Sequence, residues 1–193
     1  MSIGAPGWRN IWAASPANWR ARAGELMDSR DGLAGLNAFT AVTMAAMPER
    51  QAHAAVFRGA EILLDAMVAE DAAHWLPLFV RWEVGLLDAL GFGLDFSECA
   101  ATGVKYDLAY ISPRTGRAVS RDGAGIYASR LFELPRFLLD GGAAAPSPQE
   151  VLAGLALTGY FLLERVLEPH GKDIPAARLK LDEIAERLAG EAS

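Results

Sequence analysis

At 193 residues, with 52% hydrophobic and 22% charged side chains, the chain fits one good-sized domain, or one domain with a remnant of another, around a real core. Cys99 is the single cysteine, which excludes an internal disulfide and suits a reducing compartment. A net charge of −6 argues against a protein whose whole surface tracks phosphates.

The charge is unevenly placed. Residues 1–30 carry four bases against two acids and residues 101–136 six against three, whereas 31–100 hold three against ten and 137–193 five against nine. The start of the chain has no apolar run of signal-peptide type. Its longest apolar stretch, Val151 to Leu163, falls short of the roughly 20 residues that span a bilayer. A cytoplasmic protein without a membrane segment is expected.

In chain order, residues 1–25 precede any helical period. Gly4, Pro6, Gly7 and Pro16 discourage a helix, while three tryptophans and the alternation Asn18-Trp19-Arg20-Ala21-Arg22 suit a strand, so this segment reads as a fragment of β structure and a linker. Apolar residues from Leu33 to Met47 recur at helical spacing, and Pro48 stops the run. A second helix is predicted over about 51–69, with Val56, Ala60, Leu63, Leu64 and Met67 as its buried stripe. A third runs from about Trp75 to Leu90, with Phe79, Trp82, Leu86, Leu87 and Leu90 on one face and Gly91 and Gly93 ending it. Glu61, Asp65, Glu83 and Asp88 are expected to face water.

The period then changes. Tyr106, Leu108 and Tyr110 alternate with their neighbours, Ser112-Pro113-Arg114-Thr115-Gly116 has turn chemistry, and Arg117 to Ser120 can return as a partner strand, which makes a β-hairpin. Leu131 to Leu139 is predicted as a short helix around Pro135. Ser147-Pro148-Gln149-Glu150 is a capping box with proline at the first helical position. The helix it opens is apolar nearly all round, so it should be central. After Asp173-Ile174-Pro175 a last helix keeps Ile174, Ala177, Leu181, Ile184 and Leu188 on one seam.

Little of this is catalytic. His53, His74 and His170 have no metal-ligand spacing, Gly91-Phe92-Gly93 follows a helix and lacks the third glycine of a dinucleotide fingerprint, and no nucleophile elbow occurs. Cys99 has no spaced histidine partner and reads as a small buried residue. No acid, base and oxyanion donor assemble, so an unrelated hydrolase or transferase is disfavoured and no cofactor is expected.

Arg81-Trp82-Glu83-Val84-Gly85-Leu86-Leu87-Asp88-Ala89-Leu90-Gly91-Phe92-Gly93-Leu94-Asp95-Phe96-Ser97-Glu98-Cys99 resembles the RecO-family stretch R-[FW]-E-x-x-L-L-x-x-L-G-[FY]-G-[LV]-x-[FL]-x-x-C. Pro48-Glu49-Arg50-Gln51-Ala52-His53-Ala54-Ala55-Val56-Phe57, the hairpin Leu108 to Ser120, and Leu167-Glu168-Pro169-His170-Gly171-Lys172 with Arg178 are similar to other segments of that family. The resemblance runs from about residue 20 to the end.

It implies a mainly α fold: a compact helical bundle over residues 26–193, with a hairpin insertion at about 99–123. Residues 1–25 would be the end of an OB-fold that is mostly absent, leaving a short N-terminal β remnant. Some relatives carry C-x-x-C…C-x-x-C in the hairpin region. Here Cys99 remains while Thr102, Ser120 and Gly123 fill the other positions, a degenerate zinc-finger region in which no metal is expected. The hairpin is then expected to be held by packing of Tyr106, Leu108 and Tyr110.

The implied function is that of a DNA repair and recombination mediator, not an enzyme. Such a protein helps RecA load with RecR, and its helical domain docks the acidic C-terminal tail of single-stranded-DNA-binding protein. That tail wants an apolar pocket rimmed by cations. Arg81, Phe79 and Trp82, with Lys172 and Arg178, are the candidates. The alternative is a nucleic-acid-binding module acting through the basic segments 1–22 and 101–136, with Arg9, Arg20, Arg22, Arg114, Arg117 and Arg121 on phosphates and weak affinity for single strands.

Overall fold

The computed structural model describes residues 29–47, 54–139 and 145–191. The predicted β remnant over 1–25, and the predicted start of the second helix at 51–53, lie outside the described residues.

Helix α1 (Arg30–Ala46) opens on Ser29, whose hydroxyl accepts the Gly32 amide at 3.0 Å. Helix α2 (Ala54–Ala69) buries Val56, Ala60, Leu63 and Met67, with Leu64 half-buried. Helix α3 (Ala72–Ala89) begins three residues before its first large apolar side chain, because Asp71 caps it by accepting the His74 amide. Its end is a Schellman motif. Gly91 takes φ +87°, its amide donates to the Asp88 carbonyl, and the Phe92 amide donates to the Leu87 carbonyl.

Strand β1 (Leu108–Ile111) pairs antiparallel with β2 (Ala118–Ser120), Ile111 opposite Ala118 and Tyr110 opposite Val119, with an irregularity between Leu108 and Tyr110. Gly116, at φ +70°, closes the turn between them as expected from its turn chemistry. A third strand was not anticipated. Where a short helix over Leu131 to Leu139 was expected, β3 (Phe132–Glu133) pairs with the other edge of β1, giving the order β2-β1-β3. Only a 3-10 turn, Arg136–Leu138, follows. Pro135 explains the correction: it bars the helical conformation for the residue before it, and the Leu134 amide donates instead to the Ala109 carbonyl at 2.9 Å. Between β2 and β3 lie a single helical turn, α4 (Arg121–Ala124), and a 3-10 segment, Gly125–Arg130.

Helix α5 (Pro148–Phe161) carries both halves of the anticipated capping box: the Glu150 amide donates to Ser147 Oγ and the Ser147 amide to Glu150 Oε2. It widens into a π-helical stretch, Leu162–Leu167, and a 3-10 turn, Glu168–His170. Gly171, at φ +65°, stops it, and the Lys172 amide reaches back to the Leu167 carbonyl. The Leu-Glu-Pro-His-Gly-Lys segment is thus a helix terminator. Helix α6 (Ala176–Glu191) then packs along α1 and against α5 and α3, while α2 packs on α3. Backbones come close where α5 crosses α3: a Cβ on Gly154 would lie 2.9 Å from Val80 Cγ1 and 3.2 Å from Phe137 Cζ.

The main core holds Trp75, Leu76, Phe79, Trp82, Leu86, Leu155 and Phe161, and extends to Ile111 and Ala118 of the sheet. A second, smaller core lies under the hairpin: Cys99, Val119 and Ala124, flanked by Leu108, Tyr110, Ala128 and Leu131. Tyr106 is not part of it. It is 74% exposed, which corrects the expectation that it packs the hairpin; Asp107, at φ +52°, redirects the chain just before β1.

One polar cluster crosses the apolar centre. Glu83 was expected to face water, yet it is fully buried, because it shares the α3 face of Phe79, Leu86 and Leu87. Arg178, also buried, meets it with two bonds, Nε to Oε1 at 2.6 Å and Nη2 to Oε2 at 3.0 Å. Thr158 Oγ1 donates to Glu83 Oε2 at 2.5 Å, Arg178 Nη2 also donates to the Leu155 carbonyl, and Nη1 reaches Asp182. The guanidinium lies over the Phe79 ring, 5.8 Å from its centroid. Burial alone would lower its pKa, but Glu83 and then Asp182 outweigh that and hold it above the ordinary arginine value.

Two charges without water are tolerated only when paired and fully hydrogen-bonded. Removing either partner leaves the other buried and uncompensated. Arg178→Ala or Glu83→Ala is therefore expected to destabilise the protein by about 3–5 kcal/mol. The double alanine variant should cost much less than the sum of the two. Urea unfolding of the four proteins measures that coupling, and additive losses would refute it.

Candidate functional site

The candidate positions fall into three places. On α3, Phe79 and Trp82 point into the main core, 0% and 1% exposed, with ring centroids 5.5 Å apart; Phe39 of α1 covers Trp82 at 4.7 Å. Their neighbour Arg81 is half-buried and leaves the core sideways. Its Nη2 donates to the Phe137 carbonyl at 2.6 Å, and its guanidinium lies 5.7 Å from the Phe137 ring centroid. Burial lowers its pKa below the ordinary arginine value. No carboxylate among the described residues neutralises it, the neighbouring Glu83 being committed to Arg178.

The others do not join it. Arg178 lies in the core on Glu83, so its charge is spent inside the fold. Lys172 is exposed beside the C-terminal end of α1, its Nζ donating to the Ala45 carbonyl at 2.8 Å, and it too has no carboxylate partner among the described residues. The sequence candidates thus divide into one half-buried cation, one exposed cation elsewhere, and three side chains that hold the bundle together.

The basic candidates divide similarly. Arg9, Arg20 and Arg22 lie outside the described residues. Arg117 is paired with Asp95 and Glu98, each at 3.4 Å, and Arg121 with Asp107 at 3.2 Å. Arg114 is exposed on the hairpin turn, its carbonyl accepting from Arg165. Between the sheet and the start of α5 lies a cleft of about 400 Å³ whose charged lining mixes Asp107, Glu133 and Glu150 with Arg121 and Arg136. Neither histidine nor cysteine lines it.

The four positions of the degenerate zinc region do converge. The Ser120 amide and hydroxyl both donate to Cys99 Sγ, at 3.2 and 3.4 Å, and Thr102 hydrogen-bonds the same sulfur. A Cβ on Gly123 would lie 2.8 Å from that sulfur and 3.0 Å from Ser120 Oγ. The region is a knuckle in which hydrogen bonds meet at one sulfur. Among the described residues no group of three or more His, Cys, Asp or Glu side chains is placed to hold a metal ion. Burial pushes the Cys99 thiol up, but the bonds from Ser120 and Thr102 more than offset it and bring its pKa down to about 6.

Sequence reasoning missed Glu83 and Thr158 as structural polar residues. Both had a signal: Glu83 is an acid inside an apolar stripe, and Thr158 is the lone Ser or Thr hydroxyl within a helix apolar nearly all round.

Fold and geometry define a helical bundle with a small antiparallel-sheet insertion, whose buried polar chemistry serves structure and in which Arg81, half-buried, and Lys172, exposed, have no carboxylate partner among the described residues. The family model described as Recombination protein O C terminal matches residues 27–173, and the chain belongs to the RecO family. It is similar to the DNA repair protein RecO of Cereibacter sphaeroides, 48% identical over 164 residues that cover 84% of this chain and 66% of that protein. The protein of that name from Caulobacter vibrioides is 49% identical over 164 residues, 83% of this chain and 65% of the relative. That from Rhodospirillum rubrum is 46% identical over 168 residues, 86% of this chain and 67% of the relative. The chain thus spans just under two thirds of the first of these relatives. The comparison with solved structures gives no significant match. Among the described residues no helix is long and apolar enough to cross a membrane.

Two outcomes are expected at the knuckle. Metal analysis of the purified protein should find no stoichiometric zinc, since Thr102, Ser120 and Gly123 supply no thiolate; one zinc per chain, lost in Cys99→Ser, would contradict this. The second follows from the depressed thiol. An unfolded cysteine titrates near about 8.5. The stabilisation carried by the thiolate is therefore complete above about pH 8.5 and lost as pH falls through about 6. The stability gap between wild type and Cys99→Ala, read from urea midpoints, should be wider on the alkaline side of that window than on the acid side.

Proposed function

We propose that this protein acts in DNA repair as a RecO-type recombination mediator. In this reading its helical bundle docks the acidic, phenylalanine-ending tail of single-stranded-DNA-binding protein, and it works with RecR to help RecA load. Membership of the RecO family carries the reading. Residues 26–193 would form the docking domain and residues 1–25 the end of a barrel. The protein then works in the cytoplasm as an adaptor, without enzymatic activity or a cofactor.

Arg81 is the residue best suited to the tail's carboxylate. It has no carboxylate partner among the described residues, is partly desolvated, and is held in place by the Phe137 carbonyl and ring. A preordered, half-dry guanidinium loses less entropy and less hydration on binding a carboxylate than a free one does. Phe79 and Trp82 would support such a site from inside the core. Arg178 would serve it only by fixing α3 against α6, and Lys172 would add long-range attraction from the end of α1.

A hydrogen bond to a charged group contributes about 1.5–3 kcal/mol, so Arg81→Ala is expected to weaken a labelled tail peptide roughly tenfold or more. Arg81→Lys should restore part of the affinity, through charge without the bidentate fork. Equal affinities for wild type and a well-folded Arg81→Ala would leave Arg81 as a structural strut. Failure of wild type to bind the peptide would remove tail docking from this domain.

A further inference from the structure

The knuckle exposes side chains that its packing does not need. Tyr106 is 74% exposed, Tyr127 59% and Ile126 88%, while the small cluster beneath is built from Cys99, Val119, Ala124 and their neighbours. Two tyrosines and an isoleucine in water on one small insertion carry a hydration cost that folding does not recover.

Their placement is connected. Tyr106 directly precedes Asp107, whose carboxylate pairs with Arg121 and whose carbonyl accepts the Arg121 amide. Arg121 opens α4, and α4 runs on into the 3-10 segment that carries Ile126 and Tyr127. The Asp107–Arg121 link thus ties the residue next to Tyr106 to the start of the segment that carries Tyr127, at the end of the hairpin opposite its Ser112–Gly116 turn. Lys105 adjoins Tyr106, and Arg130 ends the segment that carries Tyr127. Both are exposed, and neither has a carboxylate partner among the described residues.

We propose that the knuckle is a contact surface for single-stranded nucleic acid, with Tyr106 and Tyr127 stacking on bases and Lys105 and Arg130 holding the phosphates between them. Exposed aromatic rings interleaved with free cations are the physical requirement for binding single strands without sequence preference. Charge favours a polyanion over a protein face: with the pairs of Arg117 and Arg121 set aside, residues 101–136 still hold Lys105, Arg114, Arg130 and Arg136 against Asp122 and Glu133, in a chain of net charge −6. The cations implied are not those suggested by the sequence, since Arg117 and Arg121 are neutralised by Asp95, Glu98 and Asp107. The choice of nucleic acid rests on the DNA-repair reading, but the tail-peptide titration tests that reading with a different ligand and different residues, so the two can fail separately.

The experiment titrates the full chain against a fluorescein-labelled oligothymidylate by anisotropy, over a salt series beginning at low ionic strength. All four side chains are exposed, so their removal should leave thermal unfolding unchanged. Tyr106→Ala with Tyr127→Ala should weaken binding on the order of a hundredfold, roughly tenfold for each lost stack, with the salt slope kept. Tyrosine-to-phenylalanine variants should bind as wild type does. Lys105→Ala with Arg130→Ala should instead flatten the slope of log affinity against log salt by about 1.4, or about 0.7 per phosphate contact on a single strand. Affinity and slope unchanged in both double variants would overturn the proposal, and any DNA binding would then belong elsewhere on the chain. No binding by wild type at low salt would overturn it too, leaving the exposed tyrosines and Ile126 as a protein contact.

Discussion

The bundle depends on the ion pair between Glu83 and Arg178. Helices α3, α5 and α6 are otherwise joined by apolar contact, which is strong but undirected: many rotations and registers of three greasy helices bury similar areas. A carboxylate that must meet a guanidinium fork, a threonine hydroxyl and a backbone carbonyl in one dry volume admits a single arrangement. In net stability such a cluster can contribute less than well-packed leucines of the same volume. What it supplies is register, fixing which faces of the three helices look inward and therefore where Arg81 leaves the core.

The same constraint accounts for how the sequence could be read. Features set by local chemistry were legible: the Ser147 capping box, the glycine stop at Gly91, the turn at Gly116 and the apolar seam of α6. Glu83 was misread because its partner lies 95 residues away, and mid-helix acids usually face solvent. The two-residue strand β3 was invisible for a related reason. Nothing in Phe132-Glu133 asks for a strand until the free edge of β1 is there to receive it. For the candidate site, residue types were legible and accessibility was not. Trp82 and Arg178 stand in family-like segments, and Phe79 next to one, because the core needs them. Exposure singles out Tyr106, where packing was expected, and Tyr127, of which the sequence reading expected nothing.

Cations in this protein sort by what they face. Arg178 meets two carboxylates, Arg117 and Arg121 meet surface acids, and Arg81 and Lys172 meet carbonyl oxygens and no carboxylate among the described residues. A carbonyl orients a cation without cancelling its charge, so the last two keep a field that an incoming anion can sense. The exposed pairs of Arg117 and Arg121 contribute only about 0–1 kcal/mol each, but they take two positive charges out of the basic segment.

The knuckle's hydrogen-bonded sulfur bears on how the protein comes apart. A finger built around a metal can hold its shape with little help, since coordination supplies most of its folding free energy. Here the sheet leans on the bundle: Ile111 and Ala118 belong to the helical core, and Phe132 stacks on Tyr160 at 4.9 Å and near Phe161 at 6.4 Å. With no independent anchor, insertion and bundle form one cooperative unit. Heating or denaturant then removes them in a single transition.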